Sequence, residues 1–250
     1  MSFEERNVKR QVHSWYSPSL NKQMEMVVYG HYGFALLMFP TAAEDYLEYE
    51  RLGLIDAIKP FIDEGKLKAF SVNSITNESW LNEHVPPPYR AVRHQQYNQY
   101  IVEEVVPFIR NHTSRETMII TAGASLGALL AANAFFRRPD IFDGTIAMSG
   151  SYDIKSYSDG YYDDNCYFNS PVDYLPNLTD TSILSLLRSK RHIYVLSGQG
   201  DYEAPERSLQ LARILEEKEI PCHLDLWGHD IPHDWPAWRA MMPHVLRTRF

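Results

Sequence analysis

Six short apolar runs constrain this chain more than anything else in it: FALLMFP (34–40), LKAFSV (67–72), TMIITAG (117–123), GTIAMSG (144–150), HIYVLSG (192–198) and CHLDLWG (222–228). Most are apolar along their length rather than at alternate positions, the pattern of strands buried on both faces. Longer stretches with helical periodicity separate them. Tyr97, Ile101, Val105 and Phe108 share a face of one helix, expected to kink at Pro107. Leu126, Leu129, Leu130 and Phe136 mark a second, and Leu211, Ala212 and Leu215 a third that Pro205 opens. Ahead of the first run, VKRQVHSWY (8–16) and MEMVVY (24–29) flank the turn-rich SPSLNKQ and predict an antiparallel hairpin. The expected fold is α/β: a doubly wound, mostly parallel sheet of about eight strands with that hairpin on its leading edge.

No repeat or low-complexity linker divides the chain, so residues 1–250 are expected to form a single domain. The balance of 24 Lys+Arg against 32 Asp+Glu, net −8, argues against nucleic acid or an anionic membrane as partner. No apolar run approaches the ~20 residues of a membrane helix, and MSFEERNVKRQ is not followed by the apolar segment of a secretory leader. The two cysteines, Cys166 and Cys222, lack metal or redox spacing and are expected to be reduced. A cytoplasmic location is the expectation.

In a doubly wound sheet, ligands bind at the carboxyl ends of the strands. TMIITAG ends at such a place, and the chain continues Gly123-Ala-Ser125-Leu-Gly127 into the helical LGALLAANAFF. The G-x-S-x-G spacing alone settles little. On a sharp strand-to-helix turn, however, the residues two places either side of the serine must be tiny, and the hydroxyl is pushed out above the sheet. The amide of Leu126, at the positive end of the helix, is then free to bind an oxyanion. A capping serine is the competing reading.

A serine nucleophile requires a base and a carboxylate to orient it. Past the last run, the loop WGHDIPHDWPAWR offers His229 and His233, whereas His223 lies within a strand and His244 in the final helix. Pro232 between His229 and His233 argues against a metal pair on one helix face, and no cofactor or metal is expected. For the acid, HIYVLSGQG is followed at once by Asp201, Tyr202 and Glu203.

The order of these pieces resembles the putative-esterase family of α/β hydrolases: GASLG with its helix, RRPDIFDGTIAMSG, SGQGDYE, then HDWPAWR. That family includes esterase D (S-formylglutathione hydrolase), feruloyl esterase modules and the mycolyltransferases. The resemblance implies an α/β-hydrolase fold and a serine esterase acting on small-molecule esters through an acyl-enzyme. An acyltransferase on the same triad and a non-catalytic binding module are the alternatives. By the family pattern Ser125 is the nucleophile, His233 the base and Asp201 the favoured acid, with Glu203 as the alternative. The family's His-Gly-Gly after the first central strand is replaced here by FPTAAEDY, leaving Thr41 or Ala42 to supply the second oxyanion amide beside Leu126. The aromatic-rich segment 151–178 is expected to overhang the site as a cap loop, with Tyr157, Tyr161, Tyr162 and also Trp235 against the substrate.

Overall fold

The computed structural model describes residues 9–250. Residues 1–8, which hold most of the N-terminal stretch read for a leader and the first position of the predicted leading strand, lie outside the described residues. Eight strands among the described residues form one sheet: β1 (Arg10–Ser17), β2 (Lys22–Tyr29), β3 (Phe34–Phe39), β4 (Leu67–Val72), β5 (Ile119–Ala124), β6 (Gly144–Met148), β7 (His192–Ser197) and β8 (His223–Leu226). Their order is β1-β2-β4-β3-β5-β6-β7-β8. β1, β2 and β4 pair antiparallel, and every pair from β4–β3 to β7–β8 is parallel. This is the mixed sheet with a leading hairpin that the sequence predicts, in the α/β-hydrolase arrangement.

The unbroken apolar runs are explained by what covers the sheet. Along β3, Ala35, Leu37 and Phe39 face one core, and Leu36 and Met38 the other. β7 divides the same way, Ile193 and Val195 against Tyr194 and Leu196. Side chains alternate with period two, but both faces are dry, so the polar half of the alternation is missing. One face is covered by α1 (Glu48–Arg51), α2 (Leu54–Asp63) and the C-terminal helix. The other takes α3 (Pro87–Tyr100), α4 (Val106–His112), α5 (Leu126–Arg137) and, past the short α6 (Asp164–Tyr167), α7 (Pro171–Tyr174), α8 (Thr181–Ser189) and α9 (Pro205–Glu217). The C-terminal helix is α10 (Trp235–Arg249).

The expected kink at Pro107 takes a different form. α3 runs into a π-helical turn, Ile101–Val105, and α4 opens directly after it with Pro107 in its first turn. The widened turn removes the carbonyl clash that a proline imposes on a regular α-helix. Tyr97, Ile101 and Val105 still face the core together, with Phe108 packed against it.

Candidate active site

β5 ends at Ala124, and α5 begins at Leu126. Ser125 between them has φ +54° and ψ −122°, a region that side-chain-bearing residues avoid at a cost of about 1–3 kcal/mol. The neighbours hold it there. A Cβ on Gly123 would lie 2.2 Å from the carbonyl oxygen of Gly127. One on Gly127 would lie 2.3 Å from that of Phe39, at the end of β3. The turn is therefore pressed against its own helix on one side and against the next strand on the other. The buried Tyr49 fastens it further: its hydroxyl donates to the Phe39 carbonyl at 2.6 Å and accepts from the Ala124 amide at 3.3 Å.

His233 stands opposite the serine, 108 residues later in the chain. Its Nε2 is 3.0 Å from Ser125 Oγ, and its Nδ1 is 3.4 Å from Glu203 Oε2. The imidazole packs edge-on against Trp238 of α10, with ring centroids 5.1 Å apart at 86°. Asp234 starts that helix by accepting from the Trp235 amide. The loop bearing His233 is also stitched to the loop after β7 through backbone: Gly200 N–H donates to Ile231, and His233 N–H donates to Asp201. A Cβ on Gly198 would fall 2.1 Å from the Ile231 oxygen. The glycines of SGQG thus let two loops from different strands touch.

The carboxylate that reaches the imidazole is Glu203, not Asp201. A turn closes between them, Glu203 N–H donating to the Gly200 carbonyl, with Tyr202 at φ +63°. The segment is therefore not extended, and the two side chains part. Asp201 is exposed and meets His233 only through its carbonyl, whereas the Glu203 side chain is 1% exposed. Glu203 accepts from Ser149 Oγ, from Ser197 Oγ at 3.2 Å and from the Gly198 amide at 3.2 Å. Burial works to raise its pKa, but the hydrogen bonds from His233 and Ser149 and the nearby imidazole charge outweigh it and hold the carboxyl below the usual range. Ser149 was not singled out from the sequence. It follows β6 with φ +53°, and its hydroxyl also accepts from Trp238 Nε1 at 3.0 Å, so it bridges the acid to the helix that backs the histidine. The only signal was its position one residue past a strand, on the neighbour of the serine's own strand.

A family model described as Putative esterase matches residues 27–248. The chain belongs to the putative-esterase family. The model describes that family as one of esterases. A search of curated proteins by sequence found no match. Among solved structures, the chain is similar to a ferulic acid esterase (19% identity, 96% of each chain covered, TM-score 0.76). It is similar as well to an S-formylglutathione hydrolase from Staphylococcus aureus (16%, covering 96% of this chain and 98% of that one, TM-score 0.67). A third is a ferulic acid esterase from Anaeromyces mucronatus in complex with ferulic acid (14%, 99% and 93%, TM-score 0.71). At these identities the fold is what is shared.

A cleft of about 190 Å³ opens beside Ser125 and His233, lined also by Leu126, Ser149, Gly150, Ser151, Tyr157, Tyr202, Ala204 and Arg207. Of the four aromatics expected against substrate, Tyr157 is in it. Tyr161 donates to Asp163, and Tyr162 donates to Asp173, over a separate depression. Trp235 packs between Tyr49 and Trp238, behind the histidine. Each of the three is turned away by a partner near in sequence or by its own helix.

The Leu126 amide has no protein acceptor among the described residues and borders the cleft. Thr41 does not present a free amide: Glu48 accepts from its N–H at 2.8 Å and from its hydroxyl. Glu48 is itself buried, which raises its pKa against the pull of those same bonds. Ala42, exposed on the turn that follows, has no such partner for its amide among the described residues. His229 is exposed and does not line the cleft with Ser125; among the described residues no three of His, Cys, Asp and Glu gather as a metal site. Nor is any described helix long and apolar enough to cross a membrane.

Proposed function

We propose that this protein is a serine esterase that hydrolyses small-molecule carboxylic esters through an acyl-enzyme. Ser125 is the nucleophile, His233 the general base and acid, and Glu203 the carboxylate that orients the imidazole. The observation that carries the reading is the line from Ser125 Oγ through both nitrogens of His233 to the buried Glu203. The 3.4 Å step is long for a hydrogen bond, as such contacts are before substrate binds, and it shortens as the imidazolium forms.

In the first half-reaction Ser125 Oγ attacks the ester carbonyl and its proton passes to His233 Nε2. The carbonyl oxygen becomes an oxyanion, met by the Leu126 amide and, since Thr41 is engaged by Glu48, by the amide of Ala42. Glu203, held ionised, stabilises the imidazolium through Nδ1 without taking its proton. Collapse expels the alkoxide, which leaves as the alcohol with the proton from Nε2. Water then repeats the sequence on the acyl-serine and releases the acid. Segment 151–178 forms a rim over this chemistry, contributing Tyr157 to the cleft.

A fluorophosphonate probe is expected to label the protein once, on Ser125, and 4-nitrophenyl acetate to be hydrolysed. Ser125→Ala should lose the label and about 10⁴-fold or more of the rate, with the fold kept. Labelling at another residue, or hydrolysis surviving in the variant, would overturn the proposal.

A further inference from the structure

The catalytic cleft contains one cation that neither the fold nor the triad uses. Arg207 lines the same small space as Ser125 and His233. Its guanidinium has no hydrogen-bond or ion-pair partner among the described residues. Arginines that hold the structure together are engaged otherwise: Arg90 binds Asp159 and the Val85 and Tyr157 carbonyls, and Arg93 binds Glu78. Nor does the local helix explain Arg207. It stands in the first turn of α9, where the helix dipole disfavours a cation.

The groups around it leave its charge uncompensated. The buried carboxylate of the site, Glu203, is spent on Ser149, Ser197, Gly198 and His233. Asp153 accepts from the Lys155 amide and does not line the cleft, and Glu206 is exposed on the helix turn beside Arg207. The remaining polar side chains of the lining, Ser149, Ser151, Tyr157 and Tyr202, are hydroxyls, and Leu126 and Ala204 are apolar. A chain of net charge −8 thus presents a free guanidinium within its reaction cleft. The cleft, about 190 Å³, is smaller than the ~300–1,000 Å³ of pockets that enclose drug-sized ligands, so a group held there is close to the scissile bond.

We infer that the preferred ester carries a carboxylate near the scissile bond, which Arg207 binds in the cleft with its two-pronged donor geometry. This rests on the esterase reading above. The attraction is that of a partly solvated pair, so it raises the rate by a factor rather than deciding whether reaction occurs.

The test uses two matched pairs, one for each side of the ester: monomethyl glutarate against methyl pentanoate, and 4-carboxyphenyl acetate against 4-carbamoylphenyl acetate. In at least one pair the wild type should favour the anion in kcat/KM, and added salt should shrink that preference. Arg207→Gln should lower the anion-to-neutral ratio by about three- to tenfold, Arg207→Glu should lower it further, and Arg207→Lys should retain part of it. Turnover with no anion preference in either pair, or an equal loss on both members in Arg207→Gln, overturns the inference and leaves the esterase reading standing. Fluorophosphonate labelling of Ser125 with none of the four hydrolysed does the same. Absence of both labelling and turnover removes the esterase reading, and this inference with it.

Discussion

The serine turn and the rim of the cleft lie side by side and are built in opposite ways. At the turn, backbone meets backbone: glycines 123 and 127 leave no room for a methyl group, and Tyr49 ties two strand ends together. On the rim, Tyr202 is 94% exposed and the Arg207 guanidinium has no partner among the described residues; in the loop beyond Tyr157, a Cβ on Gly160 would meet nothing within 4 Å. The difference teaches where each property resides. A strained nucleophile needs surroundings that over-determine it, whereas groups that meet a substrate from solvent can be carried on loosely packed chain.

The sharpest break of this comparison concerns the acid, which stands at the boundary between the two regions. Glu203→Gln is expected to lower kcat by about 10²–10⁴, because an imidazole without its carboxylate loses orientation and charge stabilisation. Asp201→Asn, which leaves the backbone carbonyl to His233 in place, should cost less than about tenfold on the same ester. Reversed severities would show that the turn at Tyr202 opens in solution.

Next comes the steric claim. Gly127→Ala must displace the end of β3 and should destabilise the protein by about 3 kcal/mol or more, read from urea unfolding. Its counterpart in the loop beyond Tyr157, Gly160→Ala, has open space and only the cost of φ +80°, about 1 kcal/mol. Similar losses at both positions would erase the contrast.

A smaller effect follows from the depressed pKa of Glu203. A carboxylate whose folded pKa lies below its unfolded value stabilises the fold fully above the latter, about 4.5, and loses that contribution as pH falls through the former. The difference in Tm between wild type and Glu203→Gln should therefore shift against the wild type as the pH is lowered from 6 through this window. A difference that stays constant with pH would mean that the fold does not favour the ionised carboxylate.

The sheet and the serine turn were legible because their causes are local or periodic. Continuous apolar runs report a strand covered on both faces wherever they occur, and two glycines four residues apart report a crowded turn. His233 became legible only by its place after the last strand and by the family pattern around it. Which of Asp201 and Glu203 lies beside His233 was not legible, because the sequence does not show that Tyr202 adopts φ +63° and sends them different ways. Three of the four aromatics expected against substrate have partners that their sequence positions do not announce: Tyr161 donates to Asp163, Tyr162 donates to Asp173, and Trp235 packs on Tyr49 and Trp238.

By itself, then, the sequence determined the strands, their helices and the conformation at Ser125, since steric exclusion within five residues and burial by periodicity act along the chain. The tertiary structure decided which carboxylate reaches His233, which amide near β3 is left open by Glu48, and that Ser149 and Arg207 share the cleft. Apart from the Thr41–Glu48 bonds, which span seven residues, those outcomes depend on hydrogen bonds and charges between segments tens of residues apart, whose meeting is fixed by packing of the whole sheet and not by any residue's neighbours in sequence.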